Sequence, residues 1–594
     1  MVTKSEVLKM KQTRGAIKSF AKQIGLKNGL ITAGKTLYRS KVKGVNTGVA
    51  FFSSYWETLG NREAIVCGDK RITFGEFGDR VFRLANGLSD LGVKQGDRVA
   101  ELLPNCPEWF EVNLGCAVSG RSMPMLNWHL KPKEIAACVN RSEATALIFD
   151  PSYLEAIQSI KDQLESVKHF IVTGNKAPKG MIAYEDLIKN SSNALTNGPF
   201  GMAPVPYSGG TTGTPKMLNT DEMADVLGDD DSKRRGATKD EITALALMQF
   251  GAFYWYKIGD CKDPIFKNIR SLVPGPLYHA GVQVAVLPFF LGATVVPMPR
   301  FSPEEFLRLI QDERINWTFV APTMLERVLA LPDEVKAKYN LSSMVSMICA
   351  AAPCPPKVKK EINELFRAQG NTRDVFMEYY GASETGLISV LVPEDYQQKP
   401  ERLASVGKIR SAQCRIYDKE KNSWSETGVE GNVLIRSHMA LGLQYKGEKA
   451  KTEEAFMQVD GVTWYDDGLI GYLDADEFLY LTSRVKEMII SGGVNIFPNE
   501  IEHVIKKHPK VFDVAVIRAP HKDLGEIPAA VIQLKDGEVL SSDEVLQFCK
   551  DEGLYGFKIP KIIAFQKELP RQLSGKLIKR AIEEPYWEGI DTHG

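Results

Sequence analysis

No two of the nine cysteines form a Cys-x-x-Cys pair. The closest, Cys349 and Cys354, lie among alanines and prolines, so a zinc ribbon or a thioredoxin-like couple is excluded and reduced, mostly buried thiols are expected. Net charge is also missing: 74 Lys and Arg balance 74 Asp and Glu. That neutrality argues against nucleic acid as the main partner. No apolar run reaches the ~20 residues a membrane span needs. The longest, Val282–Met298, is interrupted by Pro288 and Gly292 and reads as a buried helix followed by a buried strand. The start Met1–Ser5 leads into lysine-rich sequence without an apolar core, so no signal peptide and a cytoplasmic location are expected.

What is present is ordinary for a globular chain, with 44% hydrophobic and 25% charged residues. The 594 residues exceed what one core holds, about 250–300, so several subdomains are expected. Charge is unevenly placed. Residues 1–45 carry eleven Lys and Arg against one acid, Glu6, with Ile17, Phe20 and Ile24 at helical spacing. Such an arm can lie on an anionic membrane surface, giving peripheral membrane association, or pack on the body through those few apolar residues. From about residue 50, strand and helix patterns alternate: Arg71–Phe74, a helix over Gly75–Leu91, Asp97–Ala100, Leu147–Phe149 and His169–Val172. This alternation predicts an α/β fold with layered sheets.

The stretch with the most chemistry is Tyr207-Ser208-Gly209-Gly210-Thr211-Thr212-Gly213-Thr214-Pro215-Lys216-Met217. Its glycines let backbone approach a ligand, and successive N–H groups can form an anion nest. The Ser and Thr hydroxyls add donors and Lys216 adds a compact positive charge. These are the parts of a triphosphate cradle. It is not a Walker A loop, since Pro215 precedes the lysine and Met217 follows it. Beyond it, Leu218–Glu241 reads as a solvated insertion, and its Asp229-Asp230-Asp231 run as surface charge rather than a metal site. His279, after Pro276-Leu277-Tyr278, suits a pocket wall or a hydrogen-bonded core position. Asn127-Trp128-His129 is a loop given no role. In Tyr380-Gly381-Ala382-Ser383-Glu384-Thr385, an aromatic, a hydroxyl and a carboxylate suit a nucleotide: Tyr380 to stack on a base, Ser383 to reach phosphate, Glu384 to coordinate Mg²⁺. The small residues Ala350, Ala351 and Ala352 follow the strand Met347–Cys349 and leave room for a flat ring.

Near the C-terminus the strands Phe478–Thr482, Met488–Ile490, Val514–Ile517 and Ala530–Leu534 and the helix Ser542–Cys549 make a small α+β domain. Asn499 and Glu502 have the spacing of a capping box. The tail Leu569–Lys576 presents a lysine on another glycine-hinged loop.

In family order, these motifs resemble the adenylate-forming superfamily, in particular its acyl-CoA synthetase branch: the Gly/Thr loop, Tyr380–Thr385, the Arg484 segment with Ser491–Ile496, and Ser574-Gly575-Lys576. The resemblance covers about residues 50–585. It implies a basic extension over 1–50, a large adenylation domain over 51–484 and a small mobile domain over 485–594 with a hinge near Lys486. It implies that Thr211, Thr212 and Lys216 hold the β- and γ-phosphates within the loop Ser208, Gly209, Gly210 and Gly213. Tyr380 and Gly381 would face adenine opposite Ala351 and Ala352, Ser383 would touch the α-phosphate, and Glu384 would bind Mg²⁺. Arg484 would reach the ribose and Lys576 would bridge the carboxylate and the α-phosphate. Gly492 and Gly493 would line a pantetheine tunnel after a domain rotation, and His279 would stand between the acyl and thiol sites. The implied cofactors are ATP, Mg²⁺ and coenzyme A; oligomeric state is left open.

The sequence departs from the family at one point. A Thr-Gly-Asp triplet normally precedes the Ile-Gly pair, and its Asp accepts both ribose hydroxyls. Here Asp467-Gly468-Leu469 precedes Ile470-Gly471. Losing a charge-assisted bidentate contact costs roughly 2–4 kcal/mol of nucleotide binding unless Asp467 or Asp466 substitutes. The expectation is an ATP-dependent carboxylic acid:CoA ligase acting on a bulky apolar (fatty, alicyclic or steroid-like) acid. The alternatives are a stand-alone adenylation enzyme loading a carrier protein, and a non-catalytic nucleotide- or acyl-binding homologue. The short tail after Lys576 speaks against a peptide-synthetase module.

Overall fold

The computed structural model describes residues 3–588 except 11–12, 16–24, 202–203, 206, 208–233, 257–268, 279–283, 285, 353, 446–447, 485–486, 488, 492–493, 497, 523 and 572–576. Ile17, Phe20 and Ile24, the insertion with Asp229–Asp231, and the phosphate loop therefore lie outside the described residues.

Among the described residues, a nine-stranded sheet runs in the order Lys408–Ile409, Gly386–Leu391, Phe376–Ala382, Ser346–Cys349, Trp317–Val320, Arg270–Val273, Thr294–Pro297, Glu63–Cys67, Lys70–Thr73. Its six central strands are parallel, and antiparallel strands close both ends. Several central strands, such as Thr294–Pro297, Trp317–Val320 and Ser346–Cys349, are buried at every position, as a sheet covered on both faces requires. A parallel sheet of Val99–Leu102, Ala146–Phe149, His169–Val172 and Ile182–Ala183 flanks it. The helix Phe74–Asp90 joins the layers. Thr73 Oγ1 accepts the Glu76 N–H while the Glu76 carboxylate accepts the Thr73 N–H, and Phe77, Val81, Leu84 and Leu88 are buried. Among the described residues of the apolar run, Leu287–Phe290 form a four-residue helix before the buried strand, with Pro288 in its first turn and Gly292 (φ +79°) just past its end.

A third sheet, Ser423–Trp424, Gln413–Asp418, Gly431–Arg436, Val462–Leu473 and Phe456–Val459, also carries Leu479–Arg484 on the strand Val462–Leu473. Strand Leu479–Arg484 belongs to this sheet, and the next strand, Ile489–Ser491, pairs with Gly525 in the C-terminal sheet. The chain thus changes sheets between residues 484 and 489. In the C-terminal part, Asn499 lies inside the helix Pro498–Ile505 rather than capping it. Glu502 instead accepts the Val516 N–H at 2.7 Å and pairs with Lys579. The eight described cysteines are free. No described helix is long and apolar enough to cross a membrane.

Glu101, fully buried on the strand Val99–Leu102, keeps one oxygen on the Leu103 N–H at 2.9 Å and has no partner for Oε1. Burial raises its pKa to about 8. The folded chain therefore holds a proton that the unfolded chain releases above its ordinary value of 4.5. Stability falls as pH rises from there to about 8. Unfolding midpoints against pH should show Glu101→Gln free of this loss and more stable than wild type near pH 8, by roughly 4 kcal/mol.

Candidate active site

The strand Phe376–Ala382 leaves the large sheet where the third sheet packs against it. Its register with Gly386–Leu391 shifts between Tyr380 and Gly381. A Cβ at Gly381 would stand 2.1 Å from the Gly386 carbonyl oxygen, so only glycine permits this close pairing. The connecting turn is held on all sides. Thr385 N–H donates to the Ala382 carbonyl at 3.2 Å, and Ala382 N–H donates to Thr385 Oγ1 at 3.1 Å. The Thr385 carbonyl accepts from Gln249 Nε2 at 2.8 Å and from Ser437 Oγ at 2.6 Å. Thr385 is buried, while Ser383 and Glu384 at the turn's tip are half-buried and open to a ligand.

Beneath the turn, Glu378 and Lys359 form a buried ion pair. Lys359 Nζ also donates to the Ser405 carbonyl at 3.0 Å, and Glu378 Oε1 accepts the Cys354 N–H at 3.3 Å. Beyond the last parallel pair, Cys349↔Glu378, Ala351 lies two residues past the end of its strand and Tyr380 two residues further along the neighbouring one. Ala351 sits at φ +75°, a left-handed conformation that costs a non-glycine residue on the order of 1 kcal/mol. The Glu378–Cys354 bond and that pairing hold the alanine loop beside Tyr380.

The Tyr380 hydroxyl donates to Asp467 Oδ2, a short contact across the two sheets. Burial, and then the Asp467 carboxylate, push the Tyr380 phenol well up, so it stays protonated and donates. Asp467 reaches Tyr380 because its strand bulges. The strand opposite shifts register between Asn432 and Leu434, and Gly468 takes φ +67°. Asp466 holds the bulge by accepting the Gly468 N–H at 2.9 Å and pairs with Lys419. Leu469 is buried among Ile388, Ile435 and Tyr465. Of the three side chains considered for the ribose, Asp467 alone faces the Tyr380 edge, Asp466 is engaged elsewhere and Leu469 is core.

Glu384 Oε1 accepts from the Tyr445 hydroxyl at 3.0 Å. The Tyr445 phenol is raised by burial and then by Glu384, and remains a donor. A single half-buried carboxylate fits Mg²⁺, which keeps water and phosphate oxygens as its other ligands. Among the described residues no group of three or more His, Cys, Asp and Glu gathers to hold a metal.

Of the residues singled out in the sequence, Tyr380, Gly381, Ser383, Glu384, Ala351, Ala352 and Asp467 stand on this one edge. Arg484 ends the strand Leu479–Arg484, opposite Leu469, and its side chain lies outside the described residues. Ser208, Gly209, Gly210, Thr211, Thr212, Gly213, Lys216, His279, Lys486, Gly492, Gly493 and Lys576 also lie outside them. Flanking positions are described. The Tyr207 hydroxyl donates to the Cys138 carbonyl at 2.8 Å, and Tyr278 packs edge-on against Trp128. Arg571 and Leu577, on either side of residues 572–576, form a β-bridge. Glu487 pairs with Lys579 at 3.1 Å, so the residue after Lys486 is fastened to the C-terminal helix. Sequence reasoning did not find Gln249, Ser437, Lys359 or Tyr445, because each acts from a separate element with no motif of its own.

The family model for the AMP-binding enzyme matches residues 52–443, and that for the AMP-binding enzyme C-terminal domain matches residues 500–576. The chain belongs to the AMP-binding enzyme family. It is similar to the human protein named medium-chain acyl-CoA ligase ACSF2, mitochondrial, at 28% identity, covering 88% of this chain and 85% of that one. It is equally similar, 28% over 89% of this chain and 96% of the relative, to a Rhodococcus jostii protein named 3-[(3aS,4S,7aS)-7a-methyl-1,5-dioxo-octahydro-1H-inden-4-yl]propanoyl:CoA ligase. An Aromatoleum aromaticum protein named indoleacetate–CoA ligase matches at 28%, over 88% and 95% of the two chains. The fold is that of the anthranilate CoA ligase AuaEII solved with anthranoyl-AMP, with a TM-score of 0.73 at 22% identity over 91% and 96% of the chains. Membership of this AMP-binding family makes the protein an AMP-forming acid–thiol ligase of the adenylate-forming superfamily, with ATP, Mg²⁺ and coenzyme A as its small molecules.

Proposed function

We propose that this AMP-binding enzyme joins a bulky apolar carboxylic acid to coenzyme A through an acyl-adenylate. The observation that carries the reading is the single edge holding Tyr380, Ser383, Glu384 and Asp467 beside the Ala351–Ala352 loop. A carboxylate is a poor electrophile. Its attack on the α-phosphate of ATP expels pyrophosphate and leaves AMP as a good leaving group. Charge building on the phosphates is stabilised by positioned donors and cations: Ser383, and from the sequence Thr211, Thr212, Lys216 and Lys576. Mg²⁺ held by Glu384 neutralises phosphate charge when bound. Tyr380 and the alanine loop sandwich the adenine. Asp467 takes the ribose contact that Leu469 cannot make, its carboxylate already held toward the nucleoside by Tyr380.

The coenzyme A thiolate then attacks the mixed anhydride and AMP leaves. One lysine cannot serve both halves without blocking the thiol, so the domain beyond Lys486 rotates. That swings Lys576 out and brings Gly492 and Gly493 to the thiol path, with His279 at the junction.

Small residues favour a bulky acid. Ala350–Ala352 present small side chains next to buried Val320 and Ala321. The relatives' names support the same class, since each specifies an acid whose bulk is aliphatic, alicyclic or aromatic. Thioester formation across fatty, aryl, alicyclic and short polar acids tests this. Apolar acids should exceed acetate and malonate in kcat/KM by about 100-fold, the worth of a few buried methylenes. A preference for malonate would overturn the substrate class while leaving the reaction standing.

A further inference from the structure

The helix Leu26–Leu37 and the turn Tyr38–Val42 that continues it are packed with their polar side inward. Arg39 donates to Ser53 Oγ at 3.1 Å, to Ser54 Oγ at 3.0 Å and to Glu57 at 2.6 Å. Lys35 joins the same Glu57 at 2.8 Å, and Thr32 is buried. The apolar side faces out: Leu30 is 67% exposed, Leu37 62%, Tyr38 54%, Val42 69% and Ile31 39%. Gly34, between them on the same face, has open space around it. Five of the thirteen exposed large apolar residues among those described fall within residues 30–42, which makes a patch rather than scatter. Lys27, Lys41 and Lys43 are exposed around it, with Lys43 Nζ 5.6 Å from the Tyr38 ring.

We propose that this face docks in the plane of an anionic phospholipid surface. The apolar row would enter the headgroup–acyl boundary with Tyr38 at the interface, while the lysines meet lipid phosphates. Charge selects the occupant. The first 45 residues hold eleven basic groups and one acid, and the nearby Glu57 is already taken by Lys35 and Arg39. A second copy would bring Lys27, Lys41 and Lys43 against themselves. A twelve-residue helix, about 18 Å long, lies on a bilayer and does not cross it.

The test is co-sedimentation of the full-length protein with phosphatidylcholine vesicles made with and without phosphatidylglycerol, at low salt, with light scattering in parallel. Wild type should bind the anionic vesicles at least about ten-fold more tightly than neutral ones. The triple variant Leu30→Ser, Leu37→Ser, Val42→Ser should lose about ten-fold or more. Lys27→Gln, Lys41→Gln, Lys43→Gln should lose about 100-fold, near five-fold per charge. All these positions are exposed, so circular dichroism should match wild type. Folded wild type that ignores anionic vesicles would overturn the proposal, as would binding unchanged in the apolar variant. A dimer that dissociates in that variant would assign the face to a second copy instead.

Discussion

Lys576→Ala should abolish acid-dependent adenylation, by about 10³-fold or more, yet leave thioester formation from supplied acyl-adenylate largely intact. The first half concentrates negative charge between the incoming carboxylate and the α-phosphate, where a positioned cation has its largest effect. The second half needs that position vacated for the thiol. On the proposed rotation Lys576 would move with its domain, because the base of the tail is fastened by ion pairs. Arg571 pairs with Asp513, Asp513 with Lys506 at 3.4 Å, and Lys506 with Glu326 of the large domain at 2.9 Å. Burial opposes the Asp513 charge, but Lys506 and Arg571 together hold its pKa below the ordinary carboxylate value. Equal loss of both half-reactions in Lys576→Ala would contradict the rotation.

Asp467→Ala should raise the KM for ATP about 30-fold or more with a smaller change in kcat, the loss expected when a charge-assisted contact to the substrate hydroxyls disappears. The reciprocal change is equally informative. Leu469→Asp restores the family's residue type but places a carboxylate among Ile388, Ile435 and Tyr465. It should destabilise the fold by about 3 kcal/mol or more instead of improving ATP binding. If Leu469→Asp folded normally and bound ATP more tightly, the bulge at Gly468 would not be the reason the acid moved to position 467.

The parts of the molecule that were legible in the sequence are those written in one stretch. The buried strands His169–Val172 and Ser346–Cys349 read directly from apolar runs, and the helix Phe74–Asp90, expected over Gly75–Leu91, from its 3.6-residue period; Thr73 and Phe74, read as strand, instead cap and open that helix. Tyr380–Thr385 was legible because aromatic, hydroxyl and carboxylate are adjacent in the chain. What was hidden depends on register. Nothing in Asp466-Asp467-Gly468-Leu469 says which acid faces the nucleotide; the shift opposite Asn432 and Leu434 decides it. Gln249 and Ser437 reach the Thr385 carbonyl from 136 and 52 residues away, and such long-range satisfaction of one backbone oxygen has no local pattern. Asn499 failed as a cap because Glu502 is drawn to Val516 and Lys579, where tertiary partners outcompete the local box.

Acid-dependent ATP–pyrophosphate exchange, with Mg²⁺ and without coenzyme A, reads out the adenylation half-reaction alone. Exchange should appear only when a suitable apolar acid is present and should fall with Asp467→Ala as its ATP requirement rises. No exchange with any acid, from folded wild-type protein, would contradict the ligase reading and leave Leu469 as the mark of a chain that binds nucleotide or acyl groups without joining them.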